Sequence, residues 1–178
     1  MRIVRLLLIG SLALFAQAAL AQDYGRPGAY ASLNGVYGIE TFDHVPDSAV
    51  DNAWGVSGRL GYRMSPHIAV EAQYEYSGDF LDGGADFNQN LLSANGKYYF
   101  LADQIQPYAL AGVGADWGNI SGGGNDRTGF LFRVGGGVDW YFDQNFGLLL
   151  EALYNKSTDD VLDDADYLSL GWGLFYRF

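Results

Sequence analysis

The chain has 178 residues, 49% of them hydrophobic, 16% aromatic and only 17% charged, which suits one domain of ordinary size. Ten basic residues against 21 acidic ones give a net charge of −11 with no basic cluster, which argues against nucleic acid as a partner. The 25 glycines follow no G-X-Y period, so collagen is excluded, and the absence of cysteine excludes disulfides, thiolate metal sites, a Cys nucleophile and a lipoprotein anchor.

Residues 1–21 read as a secretory leader. Arg2 and Arg5 form a basic start, Leu6 to Phe15 an apolar run, and Ala19-Leu20-Ala21 an A-x-A cleavage site. Gln17 interrupts the run well before the ~20 apolar residues that a membrane-spanning helix needs. The spacing therefore predicts an exported chain that starts at Gln22, with 8 basic residues against 21 acidic ones, and one domain over 22–178.

From there, period-2 alternation recurs in eight segments of roughly ten residues or more, the length of a tilted strand crossing a bilayer. They are Ala29–Glu40, Ala53–Met64, His67–Ser77, Asn90–Leu101, Gln106–Trp117, Thr128–Phe142, Phe146–Asn155 and Tyr167–Phe178. The odd-numbered connections are long and polar (TFDHVPDSAVDN, GDFLDGGADFNQ, GNISGGGNDR, KSTDDVLDDAD), and the even-numbered ones short (SP, ADQI, DQN). Long loops confined to one end predict an all-β, up-and-down antiparallel barrel of eight strands, crossing an outer membrane with its short turns in the periplasm.

The faces of these segments set the solvent on each side. The second puts Trp54, Val56, Leu60, Tyr62 and Met64 opposite Ser57, Arg59 and Arg63. The third puts Ile68, Val70, Ala72, Tyr74 and Tyr76 opposite Glu71, Gln73 and Glu75. The sixth sets Phe130, Phe132, Val134, Val138, Trp140 and Phe142 against Arg133 and Asp139, and the seventh Phe146, Leu148, Leu150 and Tyr154 against Glu151 and Asn155. Large aromatics on every strand would overfill a narrow interior, so the apolar face is expected to meet lipid. In the ambiguous fifth segment, Ala109, Ala111, Val113, Ala115 and Trp117 are expected outward, because the other phase aims Asp116 at lipid. Aromatics at both strand ends, such as Tyr62, Tyr98 and Phe142 at one and Tyr37, Trp54 and Tyr154 at the other, fit interfacial girdles.

The inward phase collects Arg59, Arg63, Lys97, Arg133 and Arg177 with Glu71, Glu75, Asp139, Glu151 and Asp116. Five charges against five predict a lumen closed by an ion-pair network, and a turn centred on Ser65 would set Arg59 opposite Glu71. The alternative reading of the same charges is a small porin-like pore for ions or small solutes.

Little here suggests catalysis. His44 and His67 are the two histidines, and neither lies near the last strands with a serine nucleophile, as an outer-membrane lipid hydrolase needs. GVGADWG and GGGNDRTG lack a strand-to-helix context and a phosphate-binding lysine, and Gly135-Gly136-Gly137 relieves crowding inside a strand. Asp43, Asp47, Asp51, Asp79, Asp82, Asp86, Asp159, Asp160, Asp163, Asp164 and Asp166 lie in long loops without calcium-loop spacing, so they read as solvated acidic loops. No enzyme activity, cofactor or metal is expected.

The C-terminus YLSLGWGLFYRF alternates Leu168, Leu170, Trp172, Leu174, Tyr176 and Phe178 to a final aromatic. With the leader and the eight segments, the chain resembles the OmpA-like, OmpX-like family of small outer-membrane β-barrels. The resemblance implies a buried ion-pair network and an assembly signal in Leu170, Trp172, Leu174, Tyr176 and Phe178, read by the barrel-assembly machinery. It also implies outer-membrane lipid and lipopolysaccharide as surroundings. The chain ends at the barrel, so no periplasmic peptidoglycan-binding domain is expected. The functional expectation is a structural envelope protein whose four acidic surface loops serve adhesion or surface binding.

Overall fold

Alternating strands have one face to remove from lipid and a row of backbone donors and acceptors to satisfy, and closure into a barrel does both. The computed structural model describes residues 23–40, 53–78, 87–120, 127–158 and 166–178, which form eight antiparallel strands in a closed meander. They are β1 (Gly28–Glu40), β2 (Ala53–Arg63), β3 (Ile68–Gly78), β4 (Phe87–Tyr99), β5 (Ile105–Ile120), β6 (Arg127–Tyr141), β7 (Phe146–Thr158) and β8 (Asp166–Arg177). Each pairs with the next, and β1 closes on β8 with Tyr30 opposite Arg177 and Tyr37 opposite Leu170.

The two faces have opposite polarity to a soluble barrel. Leu33 is 71% exposed and Leu60 70%, whereas Arg63 is 1% exposed and Gln73 and Asn155 0%. The outward residues form an apolar belt and the charged residues the interior, the arrangement that lipid outside demands. β5 takes the phase with Ala109, Ala111 and Val113 exposed and Tyr108 and Leu110 buried.

Three features differ from the sequence expectation. First, β4 starts three residues early at Phe87, while β5 reaches Ile120 and β7 Thr158. The backbone ladder needs only paired amides and carbonyls, so it continues past the alternating segments, as in the Phe87–Ile120 pair.

Second, Arg59 lies opposite Gln73, and Glu71 opposite Gly61. The hairpin turns about Pro66 rather than Ser65: the Met64 amide donates to the Ile68 carbonyl at 2.9 Å, and the Ser65 hydroxyl accepts from the Ile68 amide at 3.1 Å. Adding His67 to the turn shifts the register by two residues, which keeps every side chain on its face.

Third, the interior is not confined to small and charged side chains. Tyr30, Tyr99, Tyr108, Tyr141 and Phe175 are buried there with Leu91, Leu110, Leu131, Leu149 and Leu153. Glycine makes the room: a Cβ on Gly61 would fall inside the Tyr30 ring, and one on Gly137 would meet the Tyr108 hydroxyl at 2.6 Å. The apolar face meets lipid as expected, and the interior still admits rings because Tyr30, Tyr108 and Phe175 each lie against a glycine.

Candidate functional site

The lumen is the candidate site, and it is layered. In the middle, Arg59 of β2 crosses to Glu151 of β7, with Nη2–Oε1 2.5 Å and Nη1–Oε2 2.9 Å. Its Nη1 also lies 3.4 Å from Glu71 Oε1 on β3, whose Oε2 is 3.3 Å from Lys97 Nζ on β4. Tyrosines complete the carboxylates: Tyr30 donates to Glu71 at 2.8 Å and Tyr108 to Glu151 at 2.9 Å. Lys97 Nζ also sits 4.2 Å from the centre of the Tyr108 ring. The forked Arg59–Glu151 pair is the geometry that best repays removal of two charges from water.

Towards the long-loop end, Arg133 of β6 donates to Asn155 at 2.8 Å and to Ser93 at 3.2 Å, and pairs with Glu75 at 3.4 Å. Gln73 donates to the same Glu75 oxygen at 2.9 Å. Asp116 accepts a hydrogen bond from Gln89 at 3.3 Å.

Among the described residues, the ion pairs thus join Arg59, Glu71, Glu151 and Lys97 in one group and Arg133 with Glu75 in another. Besides Asp116, three residues expected in the network share the lumen but stand outside these pairs. Asp139 accepts from the Tyr99 hydroxyl at 2.8 Å. Arg63 stacks on Tyr99, 4.0 Å from the ring centre, and donates to Gln106 at 2.5 Å. Arg177 lies over Tyr141 at 4.8 Å and donates to backbone carbonyls of Tyr24, Arg26 and Gln144. Equal counts of charge did not translate into one-to-one pairing, because Arg63 and Arg177 give their donors to Gln106 and backbone carbonyls, and Asp139, which borders the same cavity, takes the Tyr99 hydroxyl instead.

The tyrosine partners were missed. Tyr30, Tyr99 and Tyr108 lie on the inward phase of their strands, but only charged residues of that phase were expected as lumen partners. The space left between these layers is small: a cavity of about 10 Å³, room for about one water, lies among Tyr30, Ser32, Lys97, Asp139, Tyr141 and Arg177.

On the outside, Leu170, Trp172, Leu174, Tyr176 and Phe178 all point outward from β8 and its end. Trp172 meets Trp54 edge-on at 5.8 Å near the long-loop end, and Tyr176 meets Phe178 edge-on at 5.2 Å at the other. His67 donates from Nδ1 to the Tyr99 carbonyl at 2.8 Å and stacks on Tyr98, so it is part of a turn. His44, the leader 1–21 and the loop aspartates up to Asp164 lie outside the described residues.

The family described as outer membrane protein beta-barrel domain matches residues 7–178. No curated protein matches the sequence. Among solved structures, Neisserial surface protein A superposes with a TM-score of 0.73 at 18% identity, over 86% of this chain and 99% of that one. The N-terminal β-barrel domain of Pseudomonas aeruginosa OprF gives 0.55 at 18% identity, over 86% and 100%. Ail, the attachment invasion locus protein of Yersinia pestis, gives 0.53 at 19%, over 85% and 97%. Ail has also been solved with the heparin analogue sucrose octasulfate. At these identities the likeness is one of fold.

Proposed function

Since the chain belongs to the outer-membrane β-barrel family, matched over residues 7–178, we propose that it is a closed, non-enzymatic envelope barrel that holds four acidic loops at the cell surface for adhesion. The supporting observation is the crossing of the lumen by Arg59 and Glu151, braced by Glu71, Lys97, Tyr30 and Tyr108. A pore for ions or small solutes, the other reading of the same charges, needs these contacts to part.

Residues 1–21 serve as the leader, and the mature barrel spans 22–178. The alternating end from Leu170 to Phe178 is the assembly signal for the barrel-assembly machinery, and lipopolysaccharide packs against the outer half of the belt.

The loops carry the choice of partner. Residues 41–52, 79–86 and 159–165 contain Asp43, Asp47, Asp51, Asp79, Asp82, Asp86, Asp159, Asp160, Asp163 and Asp164, with neither Lys nor Arg. Like charges repel, so a sulfated polyanion of the kind solved with Ail is a poor ligand here, and a cationic protein surface is a good one. The test is binding of the barrel in nanodiscs to a lysine-rich protein surface and to heparin. The expected result is salt-sensitive retention on the former that falls when Asp159, Asp160, Asp163 and Asp164 become Asn. Retention on heparin, or indifference to those substitutions, would overturn the reading.

A further inference from the structure

The segment just ahead of β1 tucks into the short-turn end of the barrel, with Tyr24 and Gly25 buried and Asp23 and Pro27 exposed. Tyr24 is 5% exposed and packs against Tyr141 with ring centres 5.3 Å apart, in a cluster with Leu149 and Phe175. Its carbonyl oxygen accepts from Arg177 Nη1 at 2.6 Å, Gln106 Nε2 at 3.1 Å and Arg63 Nη1 at 3.5 Å. Arg177 also donates to the carbonyls of Arg26 at 3.2 Å and Asp23 at 3.4 Å. The Asp23 carboxylate accepts from the Gly25 amide at 3.1 Å, which curls the segment into a turn. Gly25 sits so close to two barrel turns that a Cβ there would lie 3.0 Å from Ala102 and 3.3 Å from Pro66.

Arg177 is therefore largely spent on this segment, while Arg63 holds Gln106 and the β2–β3 turn carbonyls and reaches the segment at the Tyr24 carbonyl. A guanidinium presents five donors in a fixed fork, and Arg177 uses its fork on three carbonyls of one short turn. Behind the side chains that seat the segment lies the small cavity, bordered by Arg63, Tyr141, Phe175 and Arg177 together with Ser32, Lys97 and Asp139. Three cations and one carboxylate border it, so a solute entering from this end meets a positive field.

We propose that Asp23–Arg26 is a built-in stopper of the periplasmic mouth, seated in a socket of Arg63, Arg177 and Gln106, and that its release exposes an anion-attracting vestibule below the Arg59–Glu151 crossing. This rests on the periplasmic orientation of the short turns and is independent of what the loops bind.

The absence of cysteine gives a clean test. Ser32→Cys places one thiol beside the cavity, and its modification is timed with methanethiosulfonates carrying either a sulfonate or a trimethylammonium group. With the stopper seated, both react slowly. Deleting residues 23–26, or Tyr24→Ala with folding checked by heat-modifiable gel migration should the deletion not fold, accelerates the sulfonate reagent by about tenfold or more, because the closed state loses at least the buried Tyr24 ring from its cluster with Tyr141, Leu149 and Phe175. The trimethylammonium reagent gains less. Unchanged rates in the folded variant would overturn the stopper, and equal acceleration of both reagents would overturn the anion-attracting vestibule.

Discussion

Arg59 and Glu151 stand on β2 and β7, 92 residues apart in the chain, and their side chains meet across the lumen at 2.5 and 2.9 Å. No backbone ladder joins these strands, so the pair braces opposite walls of the barrel. Glu151→Gln removes the charge that faces a buried guanidinium and leaves Arg59 with the longer 3.4 Å contact to Glu71. The expected loss is about 3–5 kcal/mol of unfolding free energy, measured by urea titration in phospholipid vesicles. The double replacement Arg59→Met with Glu151→Leu should recover most of it, because apolar residues of similar volume leave no stranded charge.

Gly61→Ala tests the ring-in-gap packing of the interior. The added methyl group overlaps the Tyr30 ring, and that ring is fixed by its hydroxyl on Glu71. A loss of about 1–3 kcal/mol is expected, as for other overpacked cores, read from the temperature at which the heat-modifiable band shifts. Tyr30→Leu in the same chain should restore part of the stability. A stable Gly61→Ala single variant would show that the ring has room.

The outward belt predicts a depth dependence. Val134 lies midway along β6 and is 55% exposed, whereas Phe142 lies at its short-turn end and is 48% exposed. Val134→Arg should cost about 2–4 kcal/mol and Phe142→Arg about 0–1 kcal/mol, measured by reversible folding into vesicles. Similar costs at both sites would mean that the belt is not immersed as described.

Deleting Phe178 separates folding from delivery. Its amide already bonds the Ala29 carbonyl at 3.0 Å, and its ring touches only Tyr176 among the aromatic pairs described. Folding in detergent should survive, while the amount of barrel in the outer membrane should fall, measured by membrane fractionation. Wild-type levels in cells would refute the assembly-signal reading of the C-terminus.

The outer face was legible in the sequence because lipid imposes a strict rule at each outward position: Leu33, Leu60 and Val134 have no polar substitute that lipid tolerates. The interior imposes no such rule. Glu71 can be satisfied by arginine, lysine, asparagine or a tyrosine hydroxyl, and it takes all four. Which charges meet therefore depends on side-chain reach across the barrel: the turn that adds His67 sets Arg59 opposite Gln73 on the ladder, yet its side chain still reaches Glu71 at 3.4 Å. The seating of Tyr24 was illegible for a related reason: what Arg177 and Gln106 bind there is the segment's own backbone carbonyls, which carry no residue signature.

The central claim is a closed lumen, and single-channel recording of the purified barrel in planar bilayers tests it most directly. The account predicts silence from the wild type under moderate voltage, and brief openings once Glu151→Ala frees Arg59. Stable, long-lived unitary currents from the wild type would contradict it.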